Sequence, residues 1–380
     1  MADQLFDGYR LLDDPYVLVT SEDGVVQDIV AESEAGEDIQ IVKGILSPGF
    51  VNCHCHLELS HMRGAIPEKT GLIPFVSLVM KNRNFPDAEI LEAIDRAEEE
   101  MRSSGIVAVG DICNNKSALP QKAKGRIWYH NFIEASGFVP ELADLRFSRA
   151  VDIFNAYANQ YPIPIASNSI VPHAPYSVSD ELWHKIIHFP GNQLMTIHNQ
   201  ETEDENNLFL NKQGEFLKFY ESFNMNASFF KSTGKSSLQS YLSKFLPNQN
   251  VILVHNVHTS EEDLLYCKNS AAKLYWCFCA NANLYITGQL PNVDLFIKQD
   301  CIIVLGTDSL ASNWQLSIVA EMKSIKDHFP SVTTEQLLTW ATMNGAKALQ
   351  LDSLLGSFEK GKKPGIVLCD ASLSGAKRIL

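Results

Sequence analysis

The sequence predicts a protein of the α/β class: a (β/α)8 TIM barrel with a small flanking β-domain built from both chain ends. Three features carry this prediction. Short apolar runs rich in β-branched residues occur eight times along the 380 residues. Polar stretches with helical spacing lie between many of these runs. The two ends of the chain lack this alternation and contain short strand-like segments separated by turn residues.

Eight strands are predicted at the apolar runs. In chain order, the runs are Ile45–His54, Gly105–Cys113, Arg126–Gly137, Ile163–His173, Gln193–Glu201, Asn250–His258, Lys273–Asn283 and Cys301–Ser309. The helices predicted between them are Asp87–Ser103, Glu141–Asn159, Ser179–His188, Lys235–Phe245, Glu261–Lys268 and Trp314–His328. Strands that alternate with helices form parallel βαβ units, and eight such units close a barrel.

The chain ends are expected to pair with each other. Near the start, "YVLVTSEDGVVQDIV" contains two strand-like runs around Glu22-Asp23-Gly24, and near the end "GSFEKGKKPGIVLCD" combines turn residues with a β-like run. We therefore predict a small β-domain made of residues 1–47 and 351–380, which flanks a barrel over residues 48–350.

Composition and charge narrow the classes of partner. The chain is 45% hydrophobic and 20% charged, with a net charge of −14 that repels phosphate backbones and disfavours nucleic acid. Its eight cysteines lack framework spacing and are expected to be reduced. We see neither a signal peptide nor an apolar run of the ~20 residues that span a bilayer. The sequence predicts a cytoplasmic protein without membrane partners, and a homodimer is the default assembly.

The segment "SPGFVNCHCHLEL" alternates two cysteines with two histidines, Cys53-His54-Cys55-His56. Side chains alternate between the two faces of a strand, so His54 and His56 share one face and the cysteines share the other. The four side chains therefore cannot close on one ion. The alternative is a pair of hydrogen-bonded core histidines, but His-x-His at a strand end favours a functional site.

Further histidines and carboxylates gather where predicted strands end. They are His173, His198 with Glu201 three residues on, His255, and Asp308. Each has an ordinary alternative, such as a packed core histidine, a loop pair or a helix N-cap. Their joint occurrence points to an active site, because all these strand ends share one face of a barrel. Three imidazoles and a carboxylate suit one divalent ion, Zn²⁺ first and Fe²⁺ or Mn²⁺ as alternatives.

Several of these motifs resemble the amidohydrolase superfamily. "PGFVNCHCHLELSHMRG" resembles its His-x-His opening, "HNQETEDE" its His-x-x-Glu-Thr element, and "LGTDSLASNWQLSIVAEM" with "ATMNGAKAL" the closing segments of the cytosine deaminase-like, or chlorohydrolase, branch. The "HCHLELSHMRGAIP" stretch is most similar to aminofutalosine deaminases. Ala280 stands where that family usually has Pro, and "KKPGIVLCD" has Pro-Gly where Ala-Asp is usual, which weakens the subfamily assignment more than the chemistry.

The resemblance implies a role for each site residue. His54, His56, His198 and Asp308 would be the metal ligands, Glu201 the proton shuttle and His255 the residue that holds the attacking water. His173 would contact the substrate. Glu58 would also reach the substrate, with a solvated loop carboxylate as its alternative. Relatives with two metals use a carboxylated Lys late in strand 4, and "SIVPHAPYS" has no Lys there, so one ion is expected.

The expected function is hydrolytic deamination of an amino-substituted heteroaromatic ring. A metal-bound hydroxide would attack the amidine carbon and release ammonia, and a 6-aminopurine derivative, with aminofutalosine first, is the expected small-molecule substrate. The alternative within enzymes is removal of chloride or an alkylamine from a triazine-like ring, or hydrolysis of a cyclic amide. A non-catalytic barrel scaffold is a more remote alternative, because such a scaffold should lack the ligands.

Overall fold

Fifteen strands run through the part of the chain that the computed structural model describes, residues 1–12, 15–160 and 166–380. In chain order they are β1 (Gln4–Phe6), β2 (Leu11–Leu12), β3 (Tyr16–Thr20), β4 (Val26–Ala31), β5 (Ile45–Pro48), β6 (Phe50–Cys55), β7 (Ile106–Cys113), β8 (Trp128–Ala135), β9 (Ala166–Pro172), β10 (Leu194–Asn199), β11 (Asn250–His255), β12 (Lys273–Phe278), β13 (Ile303–Leu305), β14 (Ile366–Cys369) and β15 (Ala376–Arg378).

Fourteen α-helices lie in the same described part of the chain. They are α1 (Leu72–Asn82), α2 (Asp87–Ser103), α3 (Leu119–Lys122), α4 (Ala143–Gln160), α5 (Asp180–Ile187), α6 (Glu203–Asn211), α7 (Glu215–Ser222), α8 (Ser237–Tyr241), α9 (Glu261–Cys267), α10 (Ala280–Ile286), α11 (Val293–Lys298), α12 (Ile318–His328), α13 (Thr334–Thr339) and α14 (Gly345–Ala348). None of the helices described combines the length and the apolarity needed to cross a bilayer.

Strands β6 to β13 form the barrel as two parallel four-stranded halves, β6-β7-β8-β9 and β10-β11-β12-β13. Backbone hydrogen bonds join the halves at both seams. The His198 N–H donates to the His173 carbonyl at 3.0 Å, and the N–H groups of Thr307 and Asp308 donate to the His54 carbonyl at 3.0 Å. Both seams are therefore closed at the C-terminal ends of the strands, where the predicted site residues lie.

The sequence explains why these segments form strands and helices. Every residue of β6, β7 and β10 is buried, as expected for parallel strands covered on both faces. The surrounding helices begin at polar caps: the Ser179 side chain accepts from Leu182 N–H at the start of α5, and Ser260 and Asp263 form a capping box at α9. These caps satisfy backbone donors that the first helical turn leaves unpaired.

Strands from both chain ends form a separate sheet beside the barrel, in the order β15-β14-β5-β1-β2. Strand β14 pairs antiparallel with β5, and β1 pairs parallel with β5. The predicted pair of runs around Asp23 is the antiparallel hairpin β3-β4. The α/β barrel with a flanking β-structure from both ends is thus confirmed, whereas the domain limits at residues 47 and 350 stay a prediction.

The structure corrects the ends of several predicted elements. The run Ile45–His54 is two strands in two different sheets, because β5 pairs with β14 and β6 pairs with β7. The run Lys273–Asn283 ends as a strand at Phe278, and its last residues begin α10. Of the run Ile163–His173, residues 163–165 lie outside the described residues, and the strand covers Ala166–Pro172.

Candidate active site

His54 in β6 and His56, one residue after β6 ends, meet an aspartate from beyond β13. His54 Nε2 and His56 Nε2 lie 3.2 Å apart. Asp308 Oδ1 lies 3.6 Å from His54 Nε2 and 3.3 Å from His56 Nε2, and all three side chains are buried. Nitrogen and oxygen lone pairs this close repel unless a proton or a cation lies between them. The three atoms therefore have the arrangement of ligands around one ion.

His198 and His255 approach the same point from the other half of the barrel. Each offers a ring nitrogen within 4.8 Å of a ring nitrogen of His54. His198 Nδ1 must carry its proton, because it lies 2.8 Å from the His173 carbonyl, which can only accept. The lone pair of His198 is therefore on Nε2, as metal ligation requires. Burial lowers the pKa of His198 well below its usual value, so the ring is neutral.

The carboxylate of Asp308 is held in its ionised form. Burial by itself would raise its pKa, but the close approach of the His54 and His56 side chains outweighs burial and holds the pKa well below its usual range. Ser312 Oγ donates to Asp308 Oδ2 at 2.7 Å, which leaves Oδ1 directed at the imidazoles. An ionised carboxylate is the form in which aspartate binds a divalent ion.

The two cysteines of the opening motif are buried but differ from the histidines in chemistry. Cys53 Sγ lies 3.9 Å from the Gly345 carbonyl on α14, which packs outside the barrel. Burial raises the pKa of Cys53 and Cys55 well above the usual thiol value. Both therefore stay protonated, and a thiol is a poor metal ligand compared with a thiolate.

Glu201 is a buried carboxyl group beside the cluster. Burial, and next the negative charge of Asp308, raise its pKa well above the usual carboxyl value. Its Oε2 lies 3.7 Å from His255 Nε2. The Asn283 side-chain amide contacts His255 Nδ1 at 3.1 Å and orients the ring, so that Nε2 faces Glu201. A carboxyl group whose pKa burial raises keeps its proton to higher pH, as a general acid requires.

The two residues predicted to contact substrate occupy different settings. His173 is half-buried, its Nδ1 lies 2.6 Å from Ser177 Oγ, and its ring centroid lies 4.8 Å from that of His198. Glu58 is buried, and its Oε2 accepts from the N–H groups of Asn114 and Asn115 at 3.0 and 3.1 Å. Burial, and next the charge of Asp111, raise the pKa of Glu58 to about 7. The alternative of a solvated loop carboxylate is therefore wrong, while substrate contact stays a prediction.

A cavity of about 320 Å³ opens onto this cluster. Its inner end is lined by polar site residues: His56, Glu58, His173, His198, Glu201, His255 and Asp308. Its outer wall is apolar and comes from α1, α7 and the residues around them: Leu72, Phe75, Val76, Val79, Met80, Phe219 and Tyr220. The cavity therefore suits a ligand with an apolar body and a polar group that enters first.

Sequence reasoning missed one acidic residue of this cavity, Glu134. It lies near the C-terminal end of β8, lines the cavity and is 8% exposed. Its Oε1 lies 3.6 Å from His198 Nδ1, and one carboxylate oxygen of Glu134 lies within 4.8 Å of ring nitrogens of both His173 and His198. The available signal was its position at the end of the run Arg126–Gly137, the same signal that identified His173 and His198.

A barrel with imidazoles and carboxylates gathered around one point at its C-terminal face defines a class of metal-dependent hydrolases. The chain belongs to the amidohydrolase family, whose model matches residues 45–379. The predicted family and the prediction of an amidohydrolase-type enzyme are thereby confirmed. The roles of the individual site residues stay predictions.

Known relatives agree with this family. The chain is 26% identical over 381 residues to a 5-methylthioadenosine/S-adenosylhomocysteine deaminase of Teredinibacter turnerae, with 95% of this chain and 80% of the relative covered. A Helicobacter pylori aminofutalosine deaminase solved with methylthio-coformycin has the same fold, with a TM-score of 0.81, 20% identity and coverage of 100% and 96%. An Arthrobacter aurescens atrazine chlorohydrolase solved with zinc has a TM-score of 0.71, 17% identity and coverage of 99% and 88%.

Proposed function

We propose that this amidohydrolase is a metal-dependent deaminase that hydrolyses the amino group of a heteroaromatic ring. The observation that carries the proposal is the placement of Glu201: this buried carboxyl group, whose pKa burial raises, lies 3.7 Å from His255 Nε2, and His255 adjoins the His54–His56–His198–Asp308 cluster. The site thus combines a place for a cation with an acid that can protonate a ring and its leaving amine.

His54, His56, His198 and Asp308 would hold the ion, and Zn²⁺ is our first choice for this set of nitrogen and oxygen ligands. Such an ion, when bound, lowers the pKa of water toward neutrality and so supplies a nucleophile near pH 7. His255 is placed to orient the attacking water, because its Nε2 faces the site and Asn283 fixes its ring.

Two carboxyl groups would then divide the proton transfers. Asp308 Oδ1, which is ionised, accepts a proton from the attacking water. Glu201, whose pKa burial raises, donates a proton to the ring nitrogen next to the attacked carbon. The proton taken up by Asp308 reaches the exocyclic amine, which leaves as ammonia. The hydroxyl group left on the ring carbon returns its proton to Glu201 and becomes a carbonyl oxygen, so both carboxyl groups recover their starting states. One water is consumed and one ammonia is released, so atoms and charge balance.

The pair of carboxyl groups fits deamination better than loss of a halide. Chloride leaves as an anion and needs no proton, whereas an amine leaves only after it has been protonated. Asp308 can pass to the amine the proton that it takes from the water, so a second carboxyl group besides Glu201 favours a nitrogen leaving group. The alternative reactions remain testable, because a halide or a ring-opened acid would replace ammonia among the products.

For the ring we propose a 6-aminopurine derivative, with aminofutalosine as the best single candidate. Support comes from the motif "HLELSHMRG" and from the names of the relatives, one of which acts on 5-methylthioadenosine and S-adenosylhomocysteine and another on aminofutalosine. The apolar outer wall of the cavity gives room for a ring that carries a larger group.

The proposal is tested by ammonia release from a zinc-reconstituted enzyme offered adenosine-like, aminofutalosine-like, guanine, cytosine and pterin substrates. We expect fast release from one 6-aminopurine derivative. Rapid turnover of free guanine or cytosine with no 6-aminopurine derivative touched would overturn the choice of ring. Release of halide or alkylamine from a triazine, with no ammonia from any ring, would overturn deamination itself. Parallel reconstitution with Fe²⁺ and Mn²⁺ identifies the preferred ion, and a cytoplasmic homodimer stays a prediction.

A further inference from the structure

We propose that Glu134 recognises the hydroxyl groups of the sugar that the proposed 6-aminopurine substrate carries. This inference rests on the proposed function and deepens it, because it assigns a specificity-determining residue to the substituent. It starts from a carboxylate that the protein itself leaves without a donor.

Glu134 is buried in the wall of the cavity but is not hydrogen-bonded. Its Oε1 is buried without a hydrogen-bond partner among the described residues, and the one ion-pair neighbour in that part of the chain is His198. Arg146 lines the same cavity, yet its Nε is also buried without a partner. A buried carboxylate oxygen without a donor costs stability, so its persistence beside a cavity indicates that a ligand supplies the donor.

His198 does not supply that donor. Its Nδ1–H group is already directed to the His173 carbonyl at 2.8 Å, whereas Glu134 Oε1 lies at 3.6 Å, beyond hydrogen-bonding distance. Glu134 therefore has a free oxygen and faces a half-buried His173 across the same part of the cavity.

The location of Glu134 decides which part of the substrate it can reach. It lies on the Nδ1 side of His198, and the Nε2 side faces the ligand cluster. An imidazole directs its two nitrogens away from each other, so a group beside Nδ1 lies away from whatever Nε2 faces. Glu134 is therefore placed to contact a substituent, while Glu201 serves the reacting ring.

The chemistry of the carboxylate selects the substituent. The oxygens of a glutamate side chain accept hydrogen bonds, so they favour hydroxyl or amino donors over carboxylates and phosphates. The adjacent 2′- and 3′-hydroxyl groups of a ribose present two such donors to the two oxygens of one carboxylate. A free base lacks them, and so does a 2′,3′-dideoxynucleoside.

The experiment measures binding and turnover with two ligands, adenosine and 2′,3′-dideoxyadenosine. The proteins are the zinc-loaded native enzyme, E134Q and E134A, with E98Q as the matched control. Glu98 is also a fully buried carboxylate, but it lies on α2 and accepts from Gln121 and Tyr129 away from the cavity. Calorimetric Kd values are taken in the E201Q background to prevent turnover, and zinc content is determined for every protein.

We expect adenosine to bind the native site at least tenfold more tightly than its dideoxy analogue, and E134Q and E134A to abolish this difference. E98Q should preserve it, and zinc content should stay unchanged throughout. An equal loss of affinity for both ligands, together with loss of zinc, would show that Glu134 only supports His198. That result would overturn the proposal. Undiminished discrimination in E134Q, or native protein that binds both ligands equally or neither, also overturns it. Because Kd is measured without turnover, binding that depends on Glu134 without ammonia release would refute deamination but not this assignment.

Discussion

At the scale of single residues, backbone strain and unusual protonation coincide at the site. His255 and Asp308 have φ angles of 75° and 57°. This is a left-handed backbone conformation that residues other than glycine rarely adopt. Both are buried and belong to the cluster that faces Glu201. Such conformations cost free energy and persist where the surrounding structure enforces them, as active sites do. Backbone strain therefore occurs at two of the residues for which we propose catalytic roles.

The ligand assignment predicts different outcomes for adjacent residues of one strand. His54→Ala should reduce zinc from one equivalent to less than about a tenth, because it removes one of the four ligands. Cys53→Ala should keep the full equivalent and lose on the order of 1 kcal/mol in unfolding free energy, because it only leaves a small cavity against α14. Metal analysis and denaturant unfolding measure both. Zinc loss in the cysteine variant would refute the assignment of faces along β6.

The acid role of Glu201 predicts a kinetic effect without metal loss. Glu201→Gln keeps the shape of the side chain but cannot donate an acidic proton, so kcat should fall about 10²- to 10⁴-fold. Zinc content should match that of the native protein, and Glu98→Gln serves as the buried control. A Glu201→Gln enzyme with near-native kcat would exclude Glu201 as the proton shuttle.

A second buried acid, Glu205, predicts how stability depends on pH. Burial raises its pKa to about 7, and its Oε2 is buried without a hydrogen-bond partner among the described residues. A raised folded-state pKa means that its contribution to stability is complete below about pH 4.5 and is lost as pH rises through 7. Glu205→Gln should therefore stabilise the protein at pH 8, on the order of 3 kcal/mol, and have little effect at pH 4.5. Urea unfolding at both pH values tests this, and an equal effect at both would contradict it.

At the scale of elements, one apolar run serves two sheets. Between β5 and β6 lies only Gly49, where a Cβ atom would lie 2.3 Å from Val107 Cγ1 and 2.5 Å from the Pro364 carbonyl oxygen. The chain therefore passes from the flanking sheet into the barrel at a position that has no space for a side chain. The strand that carries His54 and His56 is therefore anchored directly to the strands of the chain ends.

A second close approach, at Gly306, positions the other end of the ligand set. A Cβ atom there would lie 2.8 Å from His54 Cβ and 2.8 Å from Cys277 Sγ. Gly306→Ala should push the segment that bears Asp308 away from β6, with a loss of about 1–3 kcal/mol in stability and weaker zinc retention. Gly36→Ala is the matched control, since nothing lies within 4 Å of its added Cβ. If the Gly306→Ala protein kept the native Tm and zinc affinity, the close approach at Gly306 would not be what positions Asp308.

Some elements of the fold can be predicted from neighbouring residues in the sequence, whereas others depend on partners that are distant in the chain. Helix α2 begins and ends where the spacing of its apolar residues predicts, at Asp87 and Ser103. The division of the run Ile45–His54 could not be predicted, because every residue from 45 to 55 is buried and only the distant partner β14 separates the two strands. Glu134 could be found by its strand-end position, but its unpaired oxygen depends on where His198 and His173 lie in space.

At the scale of the whole molecule, the predicted ion connects both halves of the barrel. His54 and His56 belong to the half that begins with β6, whereas His198 and Asp308 belong to the half from β10 to β13. The predicted ligands also lie at both seams. The His198 N–H donates across the seam between β9 and β10, and the Asp308 N–H donates across the seam between β13 and β6. An ion held by all four would strengthen both seams at once.

Removal of the ion should therefore destabilise the whole barrel and not one loop. Zinc that binds only the folded state stabilises it by RT ln(1 + [L]/Kd), about 4 kcal/mol at a thousandfold excess over Kd. A chelator should thus lower the Tm of the native protein by several degrees. Hydrogen exchange should speed up at the backbone amides of both seams. Asp308→Ala protein should show almost no change on chelation, and an equally large shift in that variant would indicate a different ion site.

The route of the chain through the flanking sheet also governs how the protein is made. Strand β5 finds its antiparallel partner only at Ile366–Cys369, and the ligand cluster of His54 is complete only once Asp308 exists. During synthesis on the ribosome, β5 must wait for nearly the entire polypeptide before it can pair with β14, and His54 must wait for residue 308. Such non-local closure slows folding and leaves strand edges exposed. Nascent chains stopped before residue 366 should consequently be aggregation-prone and depend on chaperones, even when every barrel strand has already been translated.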